Sequence, residues 1–139
     1  MAELAIIDKS VEKAHIWLQE VAEELGTEDR QQAYRVLRAY LHALRDRLPV
    51  DEVAQLAAQL PGLIRGIYYE GWNPSATPVH YRGLADFLDR VAAEAKLEGE
   101  TEASYAVDAV ARVLQRHVSS GELDDIRAIL PGELRAIID

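Results

Sequence analysis

The chain has 139 residues, enough for one domain with a hydrophobic core, since about 150 residues bury roughly 68–70% of their unfolded surface. A net charge of −9 disfavours binding to phosphate backbones, so we expect no nucleic-acid partner, and the lack of cysteine excludes disulfides and thiolate sites. No apolar run approaches the ~18 residues of a membrane span, and the N-terminus lacks a basic signal region, so we expect a cytoplasmic protein without a membrane partner.

The first predicted helix runs from Ser10 to Leu25. Its apolar residues recur every three to four positions, as on one face of a helix: Ala14, Trp17, Leu18, Val21 and Leu25. Gly26 can adopt the left-handed conformation that ends a helix, and Thr27 with two following acids predicts the N-cap of the next.

The second predicted helix carries a longer apolar stripe. This stripe consists of Ala33, Val36, Leu37, Tyr40, Leu41, Leu44 and Leu48. The predicted outer face of the same helix consists of Arg35, Arg38, Arg45 and Asp46. Pro49 cannot continue the helix. A short amphipathic stretch follows (Val50, Val53, Leu56, Ala57, Leu60), and Pro61-Gly62 opens a fourth helix with Leu63, Ile64, Ile67 and Tyr68.

The chain contains an internal repeat. Residues 17–68 align without a gap on residues 87–138, and the run Leu60-Pro61-Gly62 falls on Leu130-Pro131-Gly132. At the position of Pro49 the second copy has Ser119 followed three residues later by Glu122, which predicts a capping box. We therefore predict an all-α single domain of two tandem four-helix repeats (about 10–70 and 82–139) packed about a pseudo-twofold axis, with a connector at 71–81.

Aromatic residues are concentrated in and beside this connector. The candidate binding residues are Tyr68, Tyr69, Trp72, His80 and Tyr81, with Arg65 and Arg82. Aromatic side chains beside an arginine are typical of binding hot spots. The alternative is that these rings fix the connector across the seam between the repeats.

Two histidines have carboxylate neighbours at helical spacing. Glu12 and His15 stand three residues apart, as in carboxylate-bridged metal bundles, but the sequence offers no second such pair. His42 and Asp46 stand four apart without a nucleophile, and a solvated pair is the simpler interpretation. Capping accounts for the carboxylates at helix starts, including Glu52. We therefore expect no catalytic residues, no metal and no cofactor.

Three runs resemble one family. Residues 37–49, 55–61 and 66–72, the last containing Tyr-Tyr-Glu-Gly-Trp, are similar to the bacterial domain-of-unknown-function family 2267. Residues 118–123 with Leu130-Pro131 resemble the second copy in that family. The resemblance implies a small all-helical bacterial domain and carries over no catalytic residue.

A non-enzymatic protein-binding or assembly module is the leading functional hypothesis, with a protein partner or a second copy of the chain as the occupant. The alternative is a small-ligand-binding protein or an enzyme, with a cleft between the repeats near the aromatic connector.

Overall fold

A computed structural model describes residues 4–139, and the described chain is all-α, without a strand. Its α-helices are α1 (Ala5–Leu25), α2 (Arg30–Arg47), α3 (Val50–Ala57), α4 (Gly62–Tyr69), α5 (Leu84–Ala95), α6 (Glu100–His117) and α7 (Ser120–Ile129). Two 3₁₀ segments, Pro74–Ala76 and Gly132–Ile137, complete the order. None of the helices among these residues has the length and hydropathy needed to cross a bilayer.

Local signals account for most helix ends. Gly26 ends α1 in the predicted left-handed conformation, with φ 71°. Asp29, rather than Thr27, is the N-cap of α2, because its carboxylate accepts hydrogen bonds from the Gln31 and Gln32 N–H groups. Helix α1 begins at Ala5 and not at Ser10 as predicted. Apolar residues outside the repeat therefore extend this helix.

The four long helices form the centre of the domain. Helix α2 packs against α1 and α5, and α6 packs against the same two helices. One cluster of buried apolar side chains joins both halves of the chain, and its largest fully buried members include Tyr40, Tyr68 and Phe87. The rings of Tyr40 and Phe87 meet edge to face at 5.7 Å, so the two halves share one core.

The short helices pack beside these long helices: α4 contacts α1 and α2, and α3 contacts α7. Val50 and Leu63 were predicted on apolar stripes but are exposed, and Ile129 is exposed as well. Val50 begins α3, Leu63 lies in the first turn of α4, and Ile129 ends α7, where neighbouring turns do not cover a side chain.

The predicted capping box is only half formed. The Glu122 N–H donates to Ser119 Oγ at 3.2 Å, as predicted. The Ser119 N–H, however, donates to Gln59 Oε1 at 3.1 Å, which leaves the Glu122 side chain free to turn inward.

Candidate functional site

The predicted binding residues Tyr68, Tyr69 and Trp72 form a row of rings. Centroids are 5.2 Å apart for Tyr68–Tyr69 and 5.6 Å for Tyr69–Trp72. Tyr68 is fully buried, and its hydroxyl donates to the Val53 carbonyl at 2.9 Å. Tyr69 and Trp72 are half-buried against the core, and the Trp72 indole donates to Thr77 Oγ1 at 3.1 Å. These contacts attach the connector to the bundle.

The other connector candidates lie apart from this row. Tyr81 packs between two guanidinium groups, with its ring centroid 5.9 Å from Arg47 Cζ and 5.4 Å from Arg90 Cζ. Burial raises the pKa of Tyr81 to about 12. His80 and Arg82 are exposed beside it. The predicted residues are thus spread over separate places, and their role in binding stays a prediction.

His42 is buried, so the predicted solvated pair with Asp46 is wrong. Its Nδ1 lies 2.8 Å from Glu94 Oε2 on α5, and its Nε2 lies 2.7 Å from the Ile67 carbonyl on α4. Asp46 instead accepts a hydrogen bond from Arg45 Nε at 2.8 Å. His42 therefore joins three helices.

Arg45 is also buried, against its predicted place on the outer face. It is 4% exposed, and its Nη1 donates to the Tyr68 and Glu70 carbonyls, each at 2.8 Å. These carbonyls lie at the C-terminal end of α4, where backbone acceptors lack helical partners. The guanidinium thus caps α4 from the neighbouring helix.

Glu12 and His15 are both exposed on α1. The separation of three residues places them on one side of the helix, outside the groove described next. Their spacing creates no enclosed site.

A groove of about 470 Å³ lies between α1, the turn from α3 to α4, and the end of α6. Its lining residues are Lys13, Ile16, Trp17, Gln59, Leu60, Pro61, Gly62, Arg65 and His117. Trp17 forms one wall, stacked on the His117 ring at 4.8 Å. His117 Nε2 in turn lies 2.8 Å from Glu20 Oε2. No local sequence pattern indicates this groove, because its walls come from three distant segments.

Two cations border the groove. Arg65 donates through Nε to the Ala57 carbonyl at 2.8 Å and through Nη2 to the Leu60 carbonyl at 2.9 Å, which fixes the side chain in place. Within residues 4–139, neither Arg65 nor Lys13 forms an ion pair. Of the seven connector-site candidates, Arg65 alone lines this groove.

Two glutamates meet where α3 contacts α7. Glu52 and Glu122 are 5% and 7% exposed, and the Oε2 atom of each is buried without a hydrogen-bond partner. With the exposed Asp125, they place carboxylate oxygens within 4.8 Å of one another. Burial, the contact with Glu52 and the charge of Asp125 raise the pKa of Glu122 to about 8.

The carboxylate cluster was also missed, although the predicted repeat gave a signal for it. Glu52 aligns with Glu122 in the two copies. Two copies that pack face to face can bring such equivalent residues together. Both carboxylates lie at helix starts, where capping is predicted, and a predicted cap gives no sign of burial.

A family model described as "Uncharacterized conserved protein (DUF2267)" matches residues 14–137 of the chain. A search of curated proteins found no match. The matched residues include the buried glutamates and most of the groove, whereas the first turns of α1 and Lys13 precede them.

Proposed function

We propose that this chain, which belongs to the uncharacterised conserved family DUF2267, is a non-enzymatic protein-binding module. Its groove takes a partner segment that carries an apolar side chain and an acidic group. The observation that carries this proposal is the combination of apolar walls and unpaired cations on a chain with net charge −9.

The apolar part of the surface continues beyond the groove. Ile6 is 73% exposed and lies seven residues before Lys13, on the same face of α1. Ile16, within the groove, is also exposed. Arg65, a residue type enriched in binding hot spots, borders the groove, and the wall of the groove includes the ring of Trp17, which is only 2% exposed. An apolar side chain of a partner can therefore be buried along α1.

The charges select the partner. An acidic segment is repelled by most of this protein, but Lys13 and Arg65 attract it to the groove. Complementary charges of this kind orient an encounter and raise its rate at low salt. The hydrogen bonds that hold Arg65 leave its Nη1 without a partner in the described chain, so this group can bind a carboxylate.

Selection from a displayed peptide library tests the proposal without a known partner. We expect enriched peptides to combine acidic with large apolar residues. Lys13→Glu should weaken their binding by about tenfold at low salt, because a repulsive charge replaces an attractive one. Fluorescence anisotropy measures the dissociation constants.

Lys9→Glu is the matched control. Lys9 lies on the same exposed part of α1 but does not line the groove, so its variant should bind nearly as the parent does. Equal weakening by both variants would mean that only net charge matters. Failure to enrich acidic peptides would contradict the proposal, and capture of the chain by itself would favour the predicted homodimer.

A small organic anion is the second candidate occupant. The groove volume of about 470 Å³ falls within the roughly 300–1,000 Å³ of ligand pockets. Pro61 gives α4 no side-chain cap, so the N–H groups of its first turn are available beside Arg65. A carboxylate on an apolar ring would match both features.

An NMR titration with aromatic carboxylates tests this second candidate. We expect the indole N–H signal of Trp17 to shift and that of Trp72 to stay, since only Trp17 lines the groove. Equal shifts of both signals, or no shift at millimolar concentration, would contradict it.

We also propose that the domain is a duplicated unit with pseudo-twofold symmetry. Equivalent hydrogen bonds support this: Arg65 Nε donates to the Ala57 carbonyl at 2.8 Å, and Arg135 Nε donates to the Arg127 carbonyl at 2.9 Å. Each pair lies seventy positions from the other in sequence. Helices α2 and α6, both of 18 residues, also begin and end at aligned positions.

A further inference from the structure

We propose that Glu52, Glu122 and Asp125 form a binding site for a hard divalent cation, at the contact between α3 and α7. The site is separate from the groove, and it does not depend on the proposed partner.

The buried oxygens point to a missing partner. Glu52 Oε2 and Glu122 Oε2 receive no hydrogen bond from any other residue of the described chain, although both side chains are more than nine-tenths buried, so the two carboxyl groups have only each other as polar partners. Buried carboxylates are ordinarily hydrogen-bonded, paired with a cation or bound to a metal, because removing their charge from water is costly. Neither glutamate has an arginine, lysine or histidine within ion-pair distance in the described chain.

The geometry suits a metal ion. Ligand oxygens of all three residues lie within 4.8 Å of one another. Oxygens bound to one ion at about 2.0–2.6 Å are necessarily within roughly 5 Å of each other. Glu122 and Asp125 are three residues apart on α7, so both can reach the same point from one helix face, while Glu52 approaches from α3.

The ligand chemistry selects the class of ion. Carboxylate oxygens without nitrogen or sulfur ligands prefer Mg²⁺, Ca²⁺ or Mn²⁺ to softer metals. Asp125 is exposed, so the ion can enter from solvent and keep water molecules on that side. A bound ion would also join α3 to α7, and with them the two halves of the chain.

Calorimetric titration of the full chain, stripped of metal with a chelator, tests the site. We expect at least one of Mg²⁺, Ca²⁺ and Mn²⁺ to bind at one equivalent, with a dissociation constant below about 1 mM. Mn²⁺ should also broaden the NMR signals of Tyr68, because paramagnetic broadening acts on nearby groups. Tyr68 lies close enough to both glutamates for their charges to raise its pKa. Absence of saturable binding by all three ions would overturn the proposal and leave a proton as the partner of the pair.

Asp125→Asn is the informative variant, because an exposed residue can be changed with little effect on folding. It should weaken cation binding by about tenfold through loss of one charged ligand, and leave the unfolding temperature of the metal-free protein nearly unchanged. Asp51→Asn, an exposed neighbour of Glu52 outside the cluster, is the control and should bind like the parent. Equal affinity of the two variants would overturn the proposal.

Discussion

Glu122→Gln is expected to raise the free energy of unfolding by about 3 kcal/mol at pH 8.5 in metal-free buffer, and by less than about 1 kcal/mol at pH 5. Most substitutions of a buried residue destabilise a protein, so the direction of this effect is diagnostic. The expected gain comes from the buried pair of Glu52 and Glu122, which faces no cation in the described structure.

The direction of this change in the free energy of unfolding follows from the raised pKa of Glu122. In the folded chain the pKa of Glu122 is raised from 4.5 to about 8 by burial, Glu52 and Asp125. Below about pH 4.5, Glu122 is protonated in both the folded and the unfolded chain, and its contribution to stability is fully present. As the pH rises, Glu122 ionises first in the unfolded chain, so this contribution falls, and it is lost above about pH 8, where the folded chain ionises too. Glutamine resembles the protonated acid but does not ionise, so the variant avoids this loss.

Urea unfolding of the parent and the Glu122→Gln variant between pH 5 and 8.5, with a chelator present, measures the difference between their free energies of unfolding. The groups facing Glu122 are Glu52 on α3, Asp125 on α7 and Tyr68 on α4. Glu28→Gln, at an exposed site, is the control and should give a difference near zero at every pH. A stability difference between Glu122→Gln and the parent that does not change with pH would contradict the raised pKa.

The sequence predicted the local features of the fold well. Leucine and alanine stripes located the long helices, because amphipathic periodicity reflects the face that packs on the core. Gly26 and Pro61 marked helix boundaries through backbone conformation alone. The start of α1 was missed because Leu4 provides no side-chain cap.

Contacts between distant segments could not be predicted in the same way. Arg45 and His42 carry polar groups and were therefore placed on the outside of α2. Their partners, the carbonyls at the end of α4 and Glu94 on α5, are set by tertiary packing. A buried polar group is tolerated where such acceptors are supplied, and helical periodicity contains no information about them.

For the candidate sites, too, local sequence patterns could be interpreted, whereas contacts between distant segments could not. The aromatic clustering predicted binding residues among positions 68–81. In the structure, Tyr68 is a core residue, and Trp72 holds the connector through its hydrogen bond to Thr77. The groove unites Trp17, Leu60 and His117, which no short motif connects. Only the alignment of Glu52 with Glu122 carried long-range information, and it did so through the proposed duplication.

The proposed duplication leads to the second large effect, a matched pair of core substitutions. Leu44→Ala and Leu114→Ala should each lower the free energy of unfolding by about 2–5 kcal/mol, because each leaves a cavity in a core that cannot fully close. The two leucines are aligned in the predicted repeat, lie in α2 and α6, and are 0% and 1% exposed. We therefore expect the two costs to agree within about 1 kcal/mol.

Urea unfolding at one pH measures both costs, and equal slopes would show that the unfolding transition is unchanged. Leu63→Ala, which removes an exposed leucine from α4, is the control and should cost less than about 0.5 kcal/mol. A pair in which one substitution is nearly free would show that the repeat in sequence is not matched in energy. Equal costs would mean that both halves stabilise the shared core alike, as we expect from the proposed pseudo-twofold packing of α2 and α6.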